Sequence, residues 1–124
     1  MIPGILVAML VAQPVPLANV IDRANTAMNS ADFAAGLKIL STVDLRTASR
    51  HDVSQVALLR AECLLALGRG NEAEEAYAEA LRANPAAELR PGSPRKLLAA
   101  LERVRSRLVG TLALRAAHDG ATAR

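Results

Sequence analysis

A chain of 124 residues has the size of one domain, and with 52% hydrophobic residues it can form a core, which excludes a disordered tail. With no Trp, one Tyr and one Phe, that core must be filled by Leu, Val, Ile and Ala, a mixture suited to close helix packing. Residues that favour strands are sparse and nowhere alternate with polar ones for long, so the chain reads as all-α.

The net charge of +3 is unevenly placed. The segment from Ala86 onward is basic, and the remainder is slightly acidic. Arginine far outnumbers lysine and alanine is abundant, as in proteins of GC-rich bacterial genomes. The single cysteine, Cys63, excludes an intramolecular disulfide and falls in an apolar helical run, where it reads as a small buried hydrophobe rather than a reactive thiol.

At the N-terminus, the apolar run Ile2 to Ala12 has the length of a signal-peptide core and is too short for a bilayer span, which takes about 20 residues. Pro14 and Pro16 end it, and no Lys or Arg precedes it. Residues 1–12 are therefore expected to be an export signal, giving a periplasmic or secreted protein. The competing reading is an apolar segment that packs onto the domain, in a cytoplasmic protein.

Between Asp52 and Leu67, apolar residues including Val53, Val56, Ala57, Cys63 and Leu64 recur at helical spacing, with Asp52 as the expected N-cap and Gly68 as the stop. Asn71 is expected to cap the next helix, with Glu74 completing a capping box and Asn84-Pro85 ending it. Its stripe of Ala73, Ala76, Tyr77, Ala80 and Leu81 predicts a seam against a close neighbour, leaving Glu72, Glu75 and Glu79 facing water. In SPRKLLAALERVRSRL, Ser93 reads as an N-cap and Pro94 as the first helical position. Leu97, Leu98, Leu101, Val104 and Leu108 form one face of that helix, and Lys96, Arg103 and Arg107 lie on another. From Gly110 to Arg124 a frayed or weakly helical tail is expected.

Taken together, Ala61 and Leu64 on a first helix, a glycine turn, Ala73, Tyr77 and Ala80 on a second helix and a terminal Pro85 resemble a tetratricopeptide repeat spanning 54–85. Ala57 and Arg60 depart from the family pattern, which favours a large aromatic and a leucine there. A degenerate copy covers 17–48, with Ala24 and Ala27 on its first helix, Asp32-Phe33 in the turn and Gly36, Leu40 and Val43 on the seam. The resemblance implies a short stack of antiparallel helix pairs over 17–109, with a capping helix from about 93 covering the last apolar face. It also implies a concave protein-binding surface formed by the first helices, at Ile21, Asn25, Met28, Leu58, Glu62 and Leu65. That set is mostly apolar, so an apolar or helical peptide, a partner protein or a second copy is the expected ligand. Alternatively, the C-terminal helix folds back and fills the groove.

The two histidines have no evident partners, Gly68-Arg69-Gly70 lacks the lysine of a phosphate loop, and no Cys/His pair has metal spacing. No catalytic role, cofactor or metal is expected. Nucleic acid is disfavoured because the second helix of the clearer unit would present four glutamates to phosphates. The rival to a protein-interaction module is a peripheral binder of a membrane surface or other polyanion, acting through Lys96, Arg103 and Arg107.

Overall fold

The computed structural model describes the backbone of residues 16–122 and the side chains of residues 16–111; the proposed export signal lies outside the described residues. The fold is all-α, with no strand among the described residues. In chain order the helices are α1 (Leu17–Asn29), α2 (Phe33–Ser41), α3 (Arg50–Ala66), α4 (Gly70–Ala83) and α5 (Arg95–Thr122). Each packs on its neighbour in sequence. No helix among the described residues is long and apolar enough to cross a membrane.

The turn glycine acts as its position predicts. Gly68 has φ +79°, and the turn closes with Arg69 N donating to Leu64 O at 2.9 Å and Gly68 N to Leu65 O at 3.1 Å. This pair of bonds satisfies carbonyls that the end of α3 would otherwise leave open. The turn between α1 and α2 has the same construction: Asp32 N donates to Ala27 O and Ala31 N to Met28 O, both at 2.9 Å. Here the left-handed position is held by Ala31 at φ +61°, at a steric cost of roughly 1–2 kcal/mol that a glycine avoids. Thirty-seven residues separate Ala31 from Gly68, and the same interval separates the buried pairs Ala24 and Ala61, Gly36 and Ala73, and Leu40 and Tyr77. The molecule therefore contains one helical hairpin built twice.

Two apolar clusters lie along this stack. The first joins Ile21, Ala24 and Met28 of α1 to Leu40 of α2 and to Val56, Leu59 and Cys63 of α3. The second joins α3, α4 and α5 through Ala61, Leu64, Ala73, Ala76, Tyr77, Leu81, Ala100, Leu101 and Val104. The seam read on α4 is present, since Ala73, Ala76, Tyr77, Ala80 and Leu81 are all buried. Gly36 plays the matching part on α2. A Cβ there would stand 3.0 Å from Met28 Cγ and 3.3 Å from Cys63 Sγ, so its missing side chain is what lets α1 and α3 close on α2.

Several sequence expectations are corrected. The N-cap of α3 is Ser49, whose hydroxyl accepts from Asp52 N at 3.0 Å, and Asp52 sits in the first turn instead. The capping box on α4 does not form: the helix begins at Gly70 with no side-chain cap, because the Schellman turn leads directly into it. Ser93 donates to Arg90 O at 2.7 Å rather than capping α5, whose first bonds run from Leu97 N and Leu98 N to Pro94 O. Val43 lies beyond the end of α2 at Ser41. Leu67 and Leu98 are exposed, Leu67 because it is the residue at which α3 ends and turns. The backbone of α5 continues through Gly110 as helix to Thr122.

Close packing at the α4 seam makes one expectation quantitative. Ala76→Leu must force side chains into a filled seam and should cost about 1–3 kcal/mol, whereas Glu75→Ala on the exposed face should change stability by less than about 0.5 kcal/mol. Denaturant titration of both variants checks this, and equal losses would show that the buried face has been assigned wrongly.

Candidate functional site

The face predicted for partner binding is reshaped by the segment between α4 and α5. Residues 84–93 return across α3 rather than away from it, and α5 itself packs on α4. The groove is therefore partly roofed by a loop, not filled by the C-terminal helix as the alternative reading required.

Three interactions hold that loop. Arg105 of α5 donates from Nη1 to Pro85 O at 2.7 Å and from Nη2 to Ala87 O at 2.8 Å. Ala87 is buried in the larger apolar cluster, and Leu89 packs half-buried against it. Arg90 Nη2 then reaches Glu62 Oε2 of α3 at 3.5 Å. Between the loop, α1 and α3 remains a cleft of about 350 Å³.

Of the six residues expected on this face, the cleft brings together Asn25, Leu58 and Glu62. Leu65 is half-buried against the larger cluster. Ile21 and Met28 are corrections: they are 9% and 7% exposed, packed into the first cluster. The physical reason is α2, which folds back so that Gly36 receives Met28, while α3 supplies Val56 and Leu59 to the same cluster as Ile21.

The cleft walls are chemically mixed. Leu58, Leu59 and Leu89 are apolar, and the ionisable groups are Glu62, Glu88, Arg90 and His51. Two shielded acceptors also face unmet demand: Ser54, 2% exposed, has a hydroxyl without a hydrogen-bond partner, and Asn25 Oδ1 is buried without one. An unmatched buried polar atom costs about 1–3 kcal/mol, so each of these oxygens, closed off behind the cleft lining, weakens the fold. Sequence reasoning missed Ser54 because it looked like an ordinary polar residue in the first turns of a helix. It missed Arg90 because nothing local shows where its loop travels.

The basic face of α5 is largely engaged within the molecule. Glu74 accepts from Arg103 Nε at 3.2 Å and from Arg107 Nη1 at 3.1 Å, tying α5 to α4. Only Lys96 of the three residues considered for an anionic surface has no ion pair among the described residues. Cys63 is fully buried, and burial, reinforced by the charge of Glu62, pushes its thiol up to about 11, as suits a packing residue. Among the described residues no group of three or more His, Cys, Asp and Glu side chains is placed to hold a metal.

The fold and cleft define a small all-α protein made of a twice-built helical hairpin, with a C-terminal helix on its last face. Comparison with known family models, curated proteins and solved structures finds no match to this chain.

Proposed function

We propose that this chain is a small helical-repeat interaction module of tetratricopeptide type, exported by a bacterium and serving as an adaptor or scaffold in the cell envelope. The single observation that carries the reading is the hairpin duplicated at an interval of 37 residues, whose first helices share one face with a cleft. Proteins built this way present a continuous surface too extended for one small substrate and suited to a polypeptide. Export rests on the apolar run Ile2 to Ala12 ended by prolines. Binding of a polyanion through Lys96, Arg103 and Arg107 is the weaker reading, because Glu74 already neutralises part of that face.

A photo-crosslinking amino acid placed at Leu58 or at Lys96, in protein made in its native host, tests both readings. The expected result is a discrete protein adduct from Leu58, insensitive to moderate salt, with none from Lys96. Intact mass of the same preparation should show loss of about a dozen N-terminal residues. Adducts from Lys96 alone, abolished by salt, would replace the module with a polyanion binder, and a full-length cytoplasmic product would remove the export claim.

A further inference from the structure

We infer that the open groove between α1, α2 and the start of α3 is the seat of this chain's own apolar run, residues 2–12, and that loss of the run opens the groove. The inference goes beyond the interaction reading above and does not depend on which partner the module takes. It meets that reading at one point, since cleavage on export is then also the step that bares the groove.

The groove measures about 1050 Å³, against about 350 Å³ for the cleft under the 84–93 loop. Leu17, Val20, Ile39 and Val43 give it apolar walls, and all but Val20 are only half-buried. Shifted by the 37-residue interval, Val20, Ile39 and Val43 become Ala57, Ala76 and Ala80, which are 1%, 3% and 0% exposed. On the second hairpin that surface has a neighbour. Leu37 and Ser41 of α2 line one depression with Ala76, and Leu37 packs on the apolar cluster to which Ala76 belongs. The first hairpin has no described helix in the corresponding place, so Ile39 and Val43 keep apolar surface in water. Counting the same interval back from Ser41 leads to Gly4, within the apolar run.

Reach and charge agree with this occupant. Residues 13–16 join the run to Leu17, itself part of the groove wall, and four residues span up to about 14 Å. Pro16 is extended, at φ −59° and ψ 141°, so the chain leaves α1 off its axis instead of prolonging it. Residues 2–12 are enough chain for a helix of about 16 Å, longer than the one the nine residues of α2 make. The run carries no charged side chain, and the groove sets Arg23 and Lys38 against Asp44 and Asp52, so it places no net demand on a neutral occupant. While the run is attached, run and groove each hold apolar surface that docking removes from water together.

The test places a nitroxide label on Ala8→Cys in the isotopically labelled full chain, made without cleavage in a heterologous cytoplasm; Cys63 is fully buried and is spared the label. The expected result is loss of amide signal at Leu17, Ile39 and Val43, with Arg82, Glu88 and Leu101 unaffected. A chain beginning at Gln13 should shift those same groove amides and should bind a hydrophobic dye severalfold more than the full chain, because the groove is bared. Val43→Asp in the full chain should restore the Ile39 signal by releasing the run; if that variant does not fold, the chain beginning at Gln13 decides. Signal loss spread evenly over the molecule, no shift at the groove on truncation, or more dye bound by the full chain than by the truncated one overturns the proposal. Mixing unlabelled nitroxide chain with isotopically labelled parent chain assigns the occupant: broadening of the parent's groove would put the run in a second copy and overturn the intramolecular seat. Because the run stays attached in this preparation, the result is read separately from export, which the intact mass from the native host decides, and from the partner crosslinked at Leu58.

Discussion

A chain ending at Pro91 should fail to fold cooperatively: its helical signal should fall far beyond the residues removed, and the product should self-associate. The reason is the second apolar cluster, to which α5 contributes Ala100, Leu101 and Val104, with Leu97 also buried. Burying a Val or Leu side chain is worth roughly 1.5–3 kcal/mol, so Leu97, Leu101 and Val104 together supply about 5–9 kcal/mol. A domain of this kind is typically stable by only about 5–15 kcal/mol in all. Truncation also strips α5 from the cluster it shares with α3 and α4, and it removes Arg105, which holds the Pro85 and Ala87 carbonyls, together with both cations of Glu74. An exposed apolar face of that kind associates in water. Circular dichroism and sedimentation of the truncated chain check the expectation. A monomer melting at the temperature of the full chain would show that α5 is no cap, and its leucines would then become the candidate contact surface.

What could be read from the sequence was what is encoded locally. The spacing of Ala73, Ala76, Tyr77, Ala80 and Leu81 gives the buried face of α4 directly, because residues three and four apart share one side of a helix. Gly68 marks a turn because only glycine takes its backbone angle without cost. The same turn at Ala31 carries no such mark, which is one reason the upstream hairpin is fainter. The two copies, 17–48 and 54–85, begin 37 residues apart in sequence, and the structure carries the same interval to the turn itself.

The cleft was not legible for a different reason. Its defining contacts join residues far apart in sequence, such as Arg90 with Glu62 and Arg105 with Pro85, and no periodicity links them. Arg105 on its own is indistinguishable from the neighbouring exposed arginines Arg103 and Arg107 until the loop carbonyls it holds are placed. Capping was misread where two signals compete. Asn71 and Glu74 have capping-box spacing, but the tight turn starts α4 earlier, and Glu74 meets α5 instead. Similarly, Ile21 and Met28 repeat at the positions of Leu58 and Leu65, yet only the structure shows that Gly36 opens a place for Met28.

Tyr77 should show the largest effect of any single side chain, and the sign should depend on which part of it is removed. It is the largest fully buried residue and sits in the cluster that joins α3, α4 and α5. Tyr77→Ala leaves a cavity the size of an aromatic ring among alanines that cannot reach across it, and should cost about 3–5 kcal/mol. The hydroxyl is another matter, since it is buried without a hydrogen-bond partner and should be an unfavourable element of the fold. Tyr77→Phe keeps the ring and should therefore be neutral or stabilise by about 1 kcal/mol. Alkaline pH separates packing from the hydroxyl. Burial, with the charge of Glu62 second, pushes the Tyr77 phenol up from 10 to about 12. Between those values the unfolded chain releases the proton while the folded chain retains it, so stability is full below pH 10 and falls as pH rises toward 12. Urea titrations at pH 8 and above 10 should show this loss in the parent chain and a smaller loss in Tyr77→Phe, with Cys63 accounting for part of what remains because its thiol is displaced in the same direction. If Tyr77→Phe loses more than about 1 kcal/mol at pH 8, the hydroxyl has a stabilising partner in solution; if both chains lose stability equally above pH 10, the phenol does not titrate as its burial requires.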